Sequence, residues 1–215
     1  MNNSIQEKIC EIAKKLISSG LNHGATGNVS FRTDDHFYIT PSGKVSEILQ
    51  PGDIIRCSLD VSAETINQMQ DKPSSEWMFH QKIFQNRSDV KAVIHTHSTY
   101  AGVVSVLNKN IPPFNYMIGL FGGHEIKCGK YRLFGTDELS DEIINTLGNL
   151  NACLMANHGA IVVSDNLDNA FFMAQELEHL AHQYIELIKV GEINLLSKKE
   201  MDDVILKFNN YGPKT

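Results

Sequence analysis

Val90-Lys91-Ala92-Val93-Ile94-His95-Thr96-His97-Ser98-Thr99 decides how the chain is read. The apolar run fits a buried strand from Val90 to His97, and Ser98-Thr99 supply caps for a helix running to Leu107. A strand that passes directly into a helix puts the chain in the α/β class. Strand side chains alternate between two faces, so His95 and His97 project from the same side and are able to hold one ion together. Alone, the pair has a plain alternative, two polar core residues with satisfied hydrogen bonds.

Two further stretches shift the balance. Asn157-His158-Gly159 ends another apolar run, and a glycine there permits a sharp turn and close backbone approach. In Pro73-Ser74-Ser75-Glu76 a helix begins, and its positive dipole end favours the Glu76 carboxylate. His95, His97, His158 and Glu76 together offer three nitrogens and a carboxylate. That is a donor set for a dication such as zinc, with bonds of about 2 Å. Ser74 and Ser75 place hydroxyls and backbone donors at the same helix start, an arrangement suited to phosphate. Gly27-Asn28 and Ser42-Gly43 are small-residue turns able to offer amides in the same way, although each taken singly is ordinary turn chemistry.

The totals agree with an enzyme-sized globular unit. The chain has 215 residues, 42% hydrophobic and 20% charged, enough for a sizeable core and one domain over 1–215. Nineteen Lys+Arg against 25 Asp+Glu give a net charge of −6, with the basic residues scattered, which argues against a nucleic-acid surface. No stretch reaches membrane-spanning length and the first residues carry no export pattern, so a cytoplasmic protein is expected. Cys10, Cys57, Cys128 and Cys153 are widely spaced and read as reduced, mostly buried thiols.

Outward from the opening stretch, the spacing predicts a helix from Ile5 to Ser19 stopped by Gly20, then a hairpin of Val29–Arg32 and Phe37–Thr40. A strand over Asp53–Cys57 follows, then a loop or weak hairpin from Ser62 to Lys72 and the helix opened by Ser74-Ser75-Glu76. Loops with one or two short strands fill Ile111 to Phe134. Thr136 caps a helix to Leu147, and Ala152–Ala156 pairs with Ala160–Val163. The long helix from Asp168 to Val190 carries an apolar stripe through Ile188, and Ser197 with Glu200 opens a last helix through Phe208. His23, His36, His80, His124, His179 and His182 read as structural, His182 pairing with Glu178 one turn away.

The ordered set Gly27-Asn28-Val29-Ser30, Ile39-Thr40-Pro41-Ser42-Gly43, Pro73-Ser74-Ser75-Glu76, His95-Thr96-His97 and Asn157-His158-Gly159 resembles the class II aldolase and adducin-head family over nearly the whole length. The branch acting on L-fuculose 1-phosphate is the most similar, through Leu107-Asn108, Tyr116-Met117-Ile118, Phe134-Gly135-Thr136 and the ending Lys207 to Gly212. The resemblance implies a three-layer α/β/α domain with a mainly antiparallel central sheet, and a homotetramer with sites between subunits. It implies one zinc per subunit on Glu76, His95, His97 and His158, with Glu76 also the proton acceptor. Gly27, Asn28, Ser42, Gly43, Ser74 and Ser75 would hold the substrate phosphate. Tyr116 of an adjacent subunit would be the second acid/base, and Phe134 and Tyr211 would shape the aldehyde side. The implied reaction is reversible cleavage of L-fuculose 1-phosphate, or a similar ketose 1-phosphate, to dihydroxyacetone phosphate and L-lactaldehyde through a zinc-stabilised enediolate.

One departure is plain: the family commonly has threonine directly after the first glycine of its glycine-rich loop, where this chain has Ala25, with Thr26 one place later. Three rivals share the scaffold: an L-ribulose-5-phosphate 4-epimerase, another sugar-phosphate lyase, dehydratase or decarboxylase, and a metal-free interaction module. Phe121-Gly122-Gly123-His124 lacks the His-Ala-Asp-Tyr element typical of the epimerase branch, and three clustered histidines with Glu76 argue against the module.

Overall fold

The structure is a computed structural model describing residues 4–209. Its strands are β1 (Asn28–Arg32), β2 (His36–Ile39), β3 (Ile55–Ser58), β4 (Ala92–Thr96), β5 (Lys127–Gly129), β6 (Ala152–Met155) and β7 (Gly159–Ser164). They form one sheet in the order β3-β2-β1-β4-β7-β6-β5. Every pairing is antiparallel except β5 with β6.

Both sheet faces are covered, which is why the central strands are apolar at consecutive positions rather than alternating with polar residues. Helices α1 (Ile5–Ser18), α4 (Thr99–Val106) and α6 (Leu167–Val190) lie on one face, packing Ile9, Ile12, Val104 and Leu177 against Ile94, Leu154 and Val162. Helices α3 (Trp77–Asn86) and α5 (Asp137–Leu147) lie on the other, packing Phe79, Ile83, Leu139 and Ile143 against Val93, Cys153 and Ile161. Each fully buried Ile or Phe of these layers contributes roughly 1.5–3 kcal/mol. The result is the three-layer α/β/α arrangement expected, with the parity of each strand residue deciding its layer.

The predicted caps at Thr136 and Ser197 form: the Thr136 hydroxyl accepts from Leu139 N–H, and Ser197 and Glu200 bond reciprocally at the start of α7 (Lys198–Asn209). Five local expectations are corrected. The 62–72 segment contains α2 (Ala63–Gln68), six residues long, capped by Ser62 and anchored by buried Ile66; one apolar contact is too few to leave a periodic signal. Between Ile111 and Phe134 lies a 3₁₀ turn, Tyr116–Phe121, besides strand β5. Ser98 precedes α4 but its side chain makes no cap bond. Instead the Glu178 carboxylate of α6 accepts from Tyr100 and Ala101 N–H, both at 2.8 Å. Glu178 is thus engaged away from His182, which stacks on Tyr100 with centroids 3.8 Å apart. At the end of α6 the buried stripe finishes at Ile185, and Ile188 is exposed because the helix has outrun the sheet.

Gly159 is required by packing rather than by conformation. A Cβ built on it would sit 2.2 Å from the Thr96 carbonyl oxygen, because β7 and β4 pair there. Gly159→Ala is expected to lower unfolding free energy by about 1–3 kcal/mol, the usual range for forced overpacking. Urea unfolding of the variant with an unchanged midpoint contradicts that tight approach.

Candidate metal centre and pocket

Strand register builds the site. Asn28 pairs with His95 and Ser30 with Val93 across β1 and β4, so these four residues share the sheet face beneath α3. Glu76 is the N-cap of α3, and His80, one turn further, looks at the same strands. Ser74 and Ser75 therefore do not cap the helix; Ser74 Oγ accepts instead from the Glu76 backbone N–H at 3.3 Å.

One ligand atom each from Glu76, His95, His97 and His158 lies within 4.8 Å of the others. His95 Nδ1 is 2.9 Å from the Ala160 carbonyl, which can only accept, so that nitrogen carries the proton and Nε2 presents its lone pair. His95 Nε2 lies 2.8 Å from His97 Nε2 and 3.3 Å from Glu76 Oε2, and His158 Nε2 lies 3.2 Å from Glu76 Oε1. Glu76 is 7% exposed, and its Oε1 is buried without a hydrogen-bond partner among the described residues. Converging lone pairs with a partnerless carboxylate oxygen fit a dication and are costly without one.

Burial pushes His95 down to about 4, against the pull of its bond to Ala160. Burial, then the neighbouring His95, lowers His97 and His158 to about 4 as well, with Glu76 opposing. The three imidazoles are neutral at neutral pH, the state a metal ligand needs. Asn22, 3% exposed, holds the pair from behind: its Oδ1 accepts from His97 N–H at 2.8 Å and its Nδ2 donates to the His95 carbonyl at 3.4 Å.

A cavity of about 360 Å³ opens above these ligands. Gly27, Asn28, Ser42, Gly43, Ser74 and Ser75, the six residues expected around a phosphate, all line it, as does Phe134. Gly27 and Gly43 have positive φ, and neither they nor Ser75 donate a backbone hydrogen bond to another described residue. Those amides are therefore available to an anion. Ala25 and Thr26 border the cavity too, but the Thr26 hydroxyl is spent within its own turn, donating to His23 O at 2.8 Å and accepting from His23 N–H at 3.0 Å.

Tyr116 does not line this cavity. It is 57% exposed on the 3₁₀ turn, stacks on Phe208 and borders a separate apolar groove with Met117, Phe172 and Val204. Tyr211 lies outside the described residues. Sequence reasoning missed Tyr131 and Arg132 in the cavity wall, in a stretch without period, and it missed Asn22. It also set His80 aside, although the four-residue spacing from Glu76 on one helix was a readable signal. His80 is fully buried and bonds to Ser30 Oγ at 2.6 Å and to Asn28 Oδ1. Asn28 Nδ2 in turn donates to Glu76 Oε2 at 2.9 Å and Ser74 Oγ at 3.0 Å. Burial and His95 hold His80 well below the ordinary histidine range.

The chain resembles known proteins over nearly its whole length. Residues 7–185 match the family described as Class II Aldolase and Adducin N-terminal domain. A 5-methylthioribulose-1-phosphate/5-deoxyribulose-1-phosphate aldolase of Rhodospirillum rubrum is 39% identical, the match covering 97% of this chain and 93% of that protein. The L-fuculose phosphate aldolase of Escherichia coli K12 is 36% identical over 98% of this chain and 96% of its own length. A solved structure of an L-fuculose 1-phosphate aldolase superposes with a TM-score of 0.90 at 31% identity, covering 97% and 98% of the two chains. With the family model matching residues 7–185 and these relatives alike over nearly the whole length, the chain belongs to the class II aldolase family.

Proposed function

We propose that the protein reversibly cleaves a ketose 1-phosphate between C3 and C4 into dihydroxyacetone phosphate and a short aldehyde. L-fuculose 1-phosphate, which yields L-lactaldehyde, is the first substrate of this reading. The observation that carries it is the Glu76, His95, His97 and His158 cluster facing a cavity walled by small-residue turns. These four residues would hold zinc, which when bound supplies Lewis acidity for the charge developing on the ketone oxygen.

The chain's own groups do the rest. Backbone amides of Gly27, Gly43 and Ser75, with the hydroxyls of Ser42, Ser74 and Ser75, seat the phosphate and fix the substrate's register. Glu76 has one oxygen occupied by Asn28 and the other without a hydrogen-bond partner, so Oε1 is the oxygen that takes the proton from the hydroxymethyl carbon of dihydroxyacetone phosphate in the condensation direction. In cleavage it returns that proton. Tyr116 of a neighbouring subunit exchanges the proton of the C4 hydroxyl. Tyr116 lines a groove separate from its own chain's cavity, which supports a homotetramer with shared sites and Phe134 at the aldehyde end. The free cysteines support a cytoplasmic setting, and no described helix is long and apolar enough to cross a membrane.

A second reading keeps the reaction and changes the aldehyde. The Rhodospirillum rubrum relative, at 39% identity, supports 5-deoxyribulose 1-phosphate or its methylthio analogue as substrate. Assay of L-fuculose 1-phosphate, both ribulose 1-phosphates and L-ribulose 5-phosphate, with coupled detection of dihydroxyacetone phosphate, ranks them. Triose phosphate from one of the 1-phosphates is the expected result. Epimerised pentulose phosphate with no triose phosphate contradicts the aldolase reading.

A further inference from the structure

His80, seated on Ser30 and acting through the Asn28 amide, is, we infer, the positioning residue that aims Glu76 for proton transfer. The inference rests on Glu76 being the proton acceptor. The Glu76 carboxylate fixes the direction of every hydrogen bond from Asn28 to Ser30. An ionised carboxylate only accepts, so the Asn28 atom 2.9 Å from Glu76 Oε2 is the amide nitrogen. Its second hydrogen goes to Ser74 Oγ at 3.0 Å, which leaves Asn28 Oδ1 on the opposite side, facing His80 Nε2. That oxygen needs a donor, so Nε2 carries the imidazole proton and Nδ1 the lone pair. Ser30 Oγ, 2.6 Å from Nδ1, must then donate. Ser30 and His80 are both fully buried, so no water competes for these bonds.

The consequence concerns the amide. An asparagine is nearly symmetric in shape, and an amide turned over would present Oδ1 to Glu76 Oε2, acceptor against acceptor. The Glu76 carboxylate opposes that state, and His80 adds to its cost, since the turned amide would bring its N–H₂ against the imidazole N–H. Glu76 Oε2 is thereby pinned and Oε1 left as the reactive oxygen. Removing the donor of His80 leaves Asn28 Oδ1 buried without its partner and loosens the amide that holds Glu76, while the three histidine ligands stay in place.

The test follows exchange of the hydroxymethyl hydrogens of dihydroxyacetone phosphate in D₂O by proton NMR, on metal-loaded enzyme without aldehyde. His80→Met is expected to lower exchange and kcat together by about 10–100-fold, the usual cost of losing a group that orients a ligand. Metal stoichiometry and KM should stay near wild type. His80→Gln, whose amide can donate where the imidazole Nε2–H does, should recover most of the exchange, whereas His80→Asn, too short to reach Asn28, should not. Circular dichroism and metal content establish that each variant is folded, and the Gln/Asn pair carries the comparison if His80→Met is not recovered. Wild-type exchange in folded His80→Met or His80→Asn overturns the inference, as does a His80→Gln variant as slow as His80→Asn. Glu76→Gln, run alongside, separates the two levels. Normal exchange there removes Glu76 as acceptor and the inference with it, while a dead Glu76→Gln beside a normal His80→Met removes the inference alone.

Discussion

Glu76→Gln should leave a folded protein that still takes up metal and turns over about 10²–10⁴-fold more slowly than wild type, the range for losing a positioned general base. The substitution is close to isosteric, so packing around α3 is retained. Asn28 Nδ2 still requires an acceptor, and the glutamine oxygen supplies it at the former Oε2 position. The glutamine NH₂ then occupies the place of Oε1, 3.2 Å from His158 Nε2 in the parent. A nitrogen that already bears two hydrogens cannot accept a third at neutral pH, so the proton acceptor is lost. The same NH₂ can donate to the His158 lone pair, so metal affinity should weaken without disappearing. Steady-state kinetics on saturating ketose 1-phosphate, with metal content measured on the same sample, checks both parts. Turnover near wild type takes the base role away from Glu76.

Much of this site was legible because its signals are local. His95 and His97 announce themselves through strand parity, and the glycine after His158 is explained by the Thr96 carbonyl it admits. The sheet order was not legible from the strands themselves, because β1 reaches β4 across two intervening strands and two helices, and only register puts Asn28 opposite His95. His80 escaped for a related reason. Its place on the helix was predictable, yet its partners Ser30 and Asn28 lie about fifty positions earlier. The α4 cap shows local chemistry overruled by tertiary structure: Ser98 suits the position, but Glu178 arrives from α6 with a charge and two acceptor oxygens and satisfies two backbone donors at once. Tyr116 marks a further limit: within its own chain it stacks on Phe208 beside a separate groove, so nothing local ties it to the histidine cluster.

Acid should weaken the metal-free protein in a defined window. In the unfolded chain the three imidazoles titrate near the ordinary value of 6.5, and in the folded chain near about 4, with burial the leading cause for each. Between those values the unfolded state binds more protons than the folded one, so stability is fully present above about pH 6.5 and falls as pH drops towards 4, below which these groups add no further loss. For His95, wholly buried, the displacement amounts to something on the order of 3 kcal/mol across the window. His97 and His158, less deeply buried, act in the same direction with a smaller weight. Urea unfolding of chelator-treated protein at steps from pH 7.5 to 4.5 should therefore show a falling midpoint, and Zn²⁺ added back at pH 7.5 should raise it by binding only the folded state. Protons and metal compete for the same lone pairs, so metal release should fall in the same pH range, and activity should be lost there while the loaded protein is still folded. A midpoint flat from pH 7.5 to 4.5 would mean that these imidazoles charge freely in the folded chain, and the tightly convergent site described above would be wrong.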